Sequence, residues 1–96
     1  MRDALLTGEQ RESLADALPE WILAEQTLER DVTAGSFPAA IDWVVAIADA
    51  AESLDHHPDI DIRWRTLHLV LSTHSAGGLT QLDVDLAIRI EAIVGT

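Results

Sequence analysis

The chain has no cysteine and no lysine among its 96 residues. Without cysteine, neither a disulfide framework nor a thiolate metal site can form, and a reducing compartment fits, with the cytoplasm as the default. Positive charge comes from arginine alone, 6 residues against 17 acidic ones for a net charge of −11. A field of that sign repels phosphate backbones and argues against direct nucleic-acid binding. Long apolar runs are missing as well. The opening Met1 to Leu6 is too short a run for a secretory signal, and no stretch approaches the roughly 20 apolar residues needed to span a bilayer. A soluble protein away from membranes is expected. What is present is a 48% apolar fraction, enough hydrophobic surface to offset the entropy of folding and to exclude disorder. The length suits one core, so residues 1–96 are expected to form a single domain, with residues 1–6 as a flexible N-terminus. There is no repeat, low-complexity segment or interdomain linker.

Thr7-Gly8-Glu9-Gln10 has the form of a capping box, and Leu14 and Leu18 follow at helical spacing, so a short helix should end before Pro19. From Trp21 to Ala34 the chain is rich in Ile, Leu, Val and Thr, with Leu28, Arg30 and Val32 alternating. Two strands joined by a tight turn near Glu25 to Thr27 are expected. Ser36 can cap a second helix with Pro38 in its first turn, carrying Ile41, Val44, Val45, Ala48, Ala51 and Leu54 at steps of three and four. That helix should end near His56-His57-Pro58, because proline disfavours the α conformation in the residue before it. Ile60, Ile62 and Trp64 then alternate with Asp61 and Arg63. After a turn near Arg65-Thr66, Leu67, Leu69 and Leu71 alternate with His68, Val70 and Ser72. Ser75 to Gly78 form a loop, and Thr80-x-x-Asp83 opens a last helix that buries Leu82, Leu86, Ile90 and Ile93.

The order α-β-β-α-β-β-α suits an α+β two-layer domain, a four-stranded antiparallel sheet with three helices on one face. The apolar members of both strand sets suggest that the other sheet face is buried in a dimer.

Three of the four histidines fall within one spaced pattern. Glu52 is followed after three residues by His56-His57-Pro58, after five more by Trp64, after nine more by His74, and then by Asp83. This pattern resembles that of the pterin-4a-carbinolamine dehydratase family. Thr73-His74-Ser75-Ala76-Gly77-Gly78-Leu79-Thr80 fills the family's second characteristic stretch, Trp21 sits where the family has a tryptophan at the first strand, and the element order is the family's fold over nearly the whole chain.

The resemblance implies a hydro-lyase that removes water from 4a-hydroxytetrahydropterin, giving quinonoid dihydropterin and regenerating the cofactor of aromatic amino-acid hydroxylases. The residues suit that chemistry. Expelling the C4a hydroxyl needs a proton on its oxygen while N5 must lose one, and histidine, with an unperturbed pKa of about 6.5, can serve as acid or base. No metal or redox cofactor is implied, since the elimination changes no oxidation state. Carried over by position, His56, His57 and His74 line the pterin pocket and move protons. His57 and His74 are assigned as the acid and base, His56 as positioning the substrate. Pro58 shapes the turn, and Thr73, Ser75 and Ala76 belong to the other substrate-contacting loop. Asp83 orients a histidine or holds it protonated, and Trp21 stacks on or walls the flat ring. Where many members have Asn and an acidic residue, this chain has Arg65 and Ser75. A homodimer is implied as the assembly, with a tetramer as the larger alternative.

Taken singly, these residues have plainer uses. A His-His-Pro after a helix is more often a solvated C-terminal turn. Asp83 serves equally as the reciprocal partner of Thr80 in a capping box. Glu52 reads as a structural or solvated helix residue, and Trp43 and Trp64 as core or interface. His68 lies on a strand outside the pattern and is left out of the site. Gly77-Gly78 lacks the length and lysine of a phosphate loop. Adjacent His56 and His57 would strain to share one zinc ion. The joint spacing favours the enzyme. The competing class is a non-catalytic binding or assembly partner, since family members on this fold act with transcription factors or in assembling a large carbon-fixing enzyme.

Overall fold

The computed structural model describes residues 4–95. Helix α1 spans Gly8–Ala17, strands β1 and β2 span Ile22–Leu23 and Leu28–Thr33, and helix α2 spans Phe37–Leu54. Strands β3 and β4 cover Asp59–Arg63 and Thr66–Leu71. A single 3₁₀ turn at His74–Ala76 then leads to α3 at Gln81–Val94. The expected α-β-β-α-β-β-α order is the observed one.

Local signals account for the helix starts. Thr7 and Gln10 form the capping box of α1, Ser36 accepts from the Ala39 N–H at 3.2 Å to open α2, and Thr80 and Asp83 form the capping box of α3. Each satisfies backbone donors that a helix N-terminus leaves without partners.

All strand pairs are antiparallel, in the order β1-β2-β4-β3. The register aligns Leu28 with Leu71, Val32 with Leu67, and Leu69 with Ile60, so one face collects the apolar set. On that face lie α2 and α3, whose Ile47, Ala51, Leu86 and Ile90 are buried with Leu67, Leu69 and Leu71 in one core. The other face carries Glu29, Asp31, Thr33, Asp59, Asp61, Arg63, Thr66 and His68, with Val70 and Ile22 as its apolar members. This corrects the expectation of an apolar outer face. The period-2 leucines and isoleucines of β2, β3 and β4 point at the helices, and the alternate positions of those strands are polar except for Val70.

One further expectation is corrected. The β3–β4 turn is Trp64-Arg65, one residue earlier than expected, with Trp64 at φ 55° and largely exposed beneath the Arg65 guanidinium, 4.7 Å from its ring centroid. The alternation had extended the strand through an aromatic that in fact turns the chain. Before α1, Leu5 bridges Thr80, and the Leu6 N–H donates to the Leu79 carbonyl at 2.9 Å. The expectation for residues 1–3 lies outside the described residues. Among the described residues, no helix is long and apolar enough to cross a membrane.

Candidate active site

The end of α2 delivers the first two histidines. Asp55 takes the left-handed conformation (φ 49°, ψ 44°), its N–H bonding to the Glu52 carbonyl at 3.2 Å while the His56 N–H reaches back to Ala51 at 3.0 Å. This is the double closure that commonly ends helices, here with aspartate where glycine is usual. The helix therefore stops three residues before Pro58, through Asp55 and not through the proline. The reversal turns His56 inward, 8% exposed, and leaves His57 outside.

His56 meets a carboxylate that no solvent reaches. Its Nε2 lies 2.6 Å from Oδ1 of Asp83, which is fully buried at the start of α3. Asp83 Oδ2 accepts from the Thr73 hydroxyl at 2.7 Å and from the Thr80 N–H at 2.9 Å. The capping box and the histidine partner are thus the same carboxylate, one oxygen for each role. An ionised carboxylate only accepts, so with Asp83 in that form His56 donates from Nε2. With Nε2 engaged by Asp83, proton exchange with a ligand would fall to Nδ1.

His57 has a different partner. Its Nε2 lies 2.5 Å from Oε2 of Glu52, one turn back on α2, and both side chains are mostly exposed. The loop after β4 supplies the opposite wall. Thr73 pairs with Gly78 across a bridge, its N–H donating to the Gly78 carbonyl at 2.9 Å. Gly77 at φ 78° closes the 3₁₀ turn, a conformation that only glycine adopts freely, and His74 and Ser75 stand exposed on its crest.

Between these walls is an open cleft of about 250 Å³ lined by Asp55, His56, His57, Ser72, Thr73, His74 and Ser75. Five of the expected site residues line it, and Asp83 stands directly behind His56. Pro58 and Ala76 flank the cleft in sequence without lining it. Trp21 is not brought there. It is buried, and its indole N–H donates to Glu91 Oε1 at 2.7 Å, beside Arg30 Nε on the same oxygen at 2.5 Å. Glu91 follows Asp83 by eight residues on α3, roughly 12 Å along the axis at about 1.5 Å per residue. A second pocket of about 240 Å³ at that end, lined by Ala17, Leu18, Pro19, Glu20, Ile88 and Glu91, holds no histidine. Among the described residues, no three His, Asp or Glu side chains gather as a metal site requires.

The sequence reading left Glu52 as a helix residue and Thr80 as a cap, and did not single out Asp55 or Ser72. Glu52 carried a signal in its place in the pattern. Asp55 and Ser72 carried none, because only the backbone path brings them to the cleft.

Fold and cleft together define the class: a small α+β protein with a histidine-walled cleft backed by a buried carboxylate. The family model for Pterin 4 alpha carbinolamine dehydratase matches residues 4–93, and the chain belongs to that family. It is 52% identical over 93 residues to a protein of Nocardia farcinica, and 51% identical over 92 residues to one of Mycobacteroides abscessus. Both are named, provisionally, as pterin-4-alpha-carbinolamine dehydratases, and the alignments cover 97% and 96% of this chain and 98% of each relative. The crystal structure of a transcriptional coactivator/pterin dehydratase from Brucella melitensis superposes with a TM-score of 0.88 at 30% identity, covering 95% of this chain and 99% of that one. A pterin dehydratase-like protein identified as a RuBisCO assembly factor in the alpha-carboxysome shares the fold, with a TM-score of 0.65 at 19% identity over 79% of this chain and 88% of its own.

Proposed function

We propose that this chain is a hydro-lyase that converts 4a-hydroxytetrahydropterin to quinonoid dihydropterin and water by histidine acid–base catalysis. The observation that carries the proposal is the buried Asp83 placed 2.6 Å from His56 Nε2, at the wall of a cleft that also holds His57 and His74. In the reaction the C4a–O bond breaks as an enzyme acid protonates the departing hydroxyl. N5 gives its proton to a base, and its electron pair closes the C4a–N5 double bond. One proton is delivered and one taken, so the enzyme's proton count is unchanged, exchange with solvent resets the acid and the base, and the balance calls for no metal or redox cofactor.

The sequence reading gave the two transfers to His57 and His74 and substrate positioning to His56. The geometry supports moving one transfer to His56, whose Nδ1 is held in place through the far side of its ring, as a positioned base or acid should be. His74, exposed on the facing loop, suits the opposite transfer. His57, tethered to Glu52, suits holding the ring. Each positioned transfer is expected to contribute about 10²- to 10⁴-fold. A cleft of about 250 Å³ is small beside the roughly 300–1,000 Å³ of most ligand pockets. That size favours a bicyclic ring whose side chain stays in solvent.

The test follows the ultraviolet decay of synthetic 4a-hydroxytetrahydropterin without protein, with the wild type, and with His56→Ala or His74→Ala. Acceleration that collapses by at least about tenfold in each variant supports the reading. A folded wild type that leaves the spontaneous rate unchanged sinks it and favours a second reading, a binding or assembly partner. Phe37, Ile41 and Val45 support that alternative, an exposed apolar stripe at four-residue steps on α2. A homodimer remains our proposal for the assembly, with that stripe as its candidate surface.

A further inference from the structure

Thr73 borders the cleft, and the family resemblance places it among the residues that contact substrate. A threonine has two hydrogen-bond donors to offer, its backbone N–H and its hydroxyl. Here the first goes to the Gly78 carbonyl at 2.9 Å and the second to Asp83 Oδ2 at 2.7 Å. The Thr73 carbonyl is engaged as well, receiving the N–H groups of Ala76 at 3.0 Å, Gly77 at 3.1 Å and Gly78 at 3.3 Å.

The direction of the remaining contact then follows. Thr73 Oγ1 and Thr80 Oγ1 are 2.8 Å apart. Since the one hydroxyl proton of Thr73 is committed to Asp83, Thr80 must be the donor. Its own oxygen accepts the Leu82 N–H at 3.2 Å. The chain therefore runs one way, from Thr80 to Thr73 to Asp83, and the other oxygen of that carboxylate takes the His56 proton. Thr73 is 4% exposed, and Thr80 and Asp83 are fully buried, so water does not compete for these bonds.

We infer that Thr73 is a positioning residue that acts on His56 through Asp83, with Thr80 setting the direction of its hydroxyl, and that it donates no hydrogen bond to the substrate. Two bonds on Oδ2 hold the carboxylate plane so that Oδ1 aims at His56 Nε2. Without the hydroxyl, only the Thr80 N–H would hold it, and the carboxylate could rotate away from the ring. Loss of the bond should lower turnover without weakening ligand binding.

Thr73→Val removes the hydroxyl at nearly constant shape, and Thr73→Ser restores it. The inference rests on the dehydratase reading for its kinetic arm only. There, Thr73→Val is expected to lower kcat at least about tenfold with KM within about twofold of wild type, the signature of a group that matters only in the transition state. Thr73→Ser should recover most of the rate. The second arm needs no turnover: the His56 Hε2 proton is observed by NMR, and its exchange with water should quicken about tenfold or more in Thr73→Val and return toward wild type in Thr73→Ser. A raised KM with kcat preserved would identify Thr73 as a substrate ligand and overturn the inference. So would a Hε2 signal in Thr73→Val that exchanges as slowly as in the wild type. If the wild type does not dehydrate the pterin, the dehydratase reading fails alone, and the exchange measurement still decides the role of Thr73.

Discussion

At the scale of single residues, Asp83 shows how one side chain does two jobs without compromise. Its Oδ2 closes the first turn of α3 and its Oδ1 holds His56, at full burial. Asparagine can keep the first job. Its carbonyl oxygen still accepts from Thr73 and Thr80, while its amide N–H faces His56, whose Nε2 must then accept and whose proton moves to Nδ1. Asp83→Asn is therefore expected to fold, with stability within about 1 kcal/mol of wild type because every buried polar group keeps a partner. Its dehydration rate should fall by about 10²- to 10⁴-fold, because Nδ1, the nitrogen proposed to exchange the proton, is then in the wrong tautomer. Paired measurement of thermal unfolding and pterin decay checks both halves, and loss of folding together with activity would show that the charge itself is structural. The pair Thr80 and Asp83 was legible in the sequence as a capping box, and His56 and Asp83 as members of a spaced pattern. That Asp83 belongs to both motifs was legible too, but that its partner is His56, with one oxygen for each role, was not, because it depends on the end of α2 meeting the start of α3 in space.

At the scale of elements, the helix starts were legible because capping chemistry is local, and the ends were less so. The sequence pointed to Pro58 as the stop for α2, yet the chain turns at Asp55, whose left-handed backbone costs a residue other than glycine roughly 1–2 kcal/mol, less for aspartate. Asp55→Gly removes that strain, against a gain in the freedom of the unfolded chain. The net expectation is a stabilisation of about 0.5–1 kcal/mol, raising Tm by roughly 2–8 °C for a domain of this size. Asp55→Val, β-branched at the same angles, should lower it. Thermal unfolding of the two variants followed by circular dichroism checks the ordering, and a fall in both would mean that the aspartate side chain stabilises the turn. Trp64 reflects the same blind spot. Its place in the apolar alternation read as strand, and only the pairing of Arg63 with Thr66 makes it a turn residue. Trp21 shows the converse, since its position beside β1 was legible but its partner Glu91, 70 residues away, was not.

At the scale of the whole molecule, the sheet has one apolar face and one acidic face, and His68 sits at the centre of the second. Asp31 on β2 and Asp61 on β3 flank it directly across the ladder, Glu29 lies one step along β2, and Asp59, Arg63 and Thr66 share the face. His68 Nδ1 is 2.5 Å from Asp31 Oδ1, and Nε2 is 3.5 Å from Glu29 Oε1. The sequence reading set this histidine apart from the site, and it does lie half-exposed outside the cleft, but its carboxylate neighbours are brought together only by strand pairing. The hydrogen bond to Asp31 raises its pKa above the ordinary 6.5, the charges of Asp31, Glu29 and Asp61 add to the rise, and partial desolvation opposes it. A folded-state pKa above the unfolded one means that folding takes up a proton. The stabilisation from the imidazolium is then complete below about pH 6.5 and is lost as pH rises through the folded pKa. Because the face is open to solvent, the effect is modest and should shrink with added salt. Thermal unfolding of the wild type from about pH 6 to about pH 9 should therefore show Tm falling, and His68→Gln should flatten that fall. Equal slopes for the two proteins would sink the assignment, because the stabilisation tied to this imidazolium disappears with the side chain that carries it.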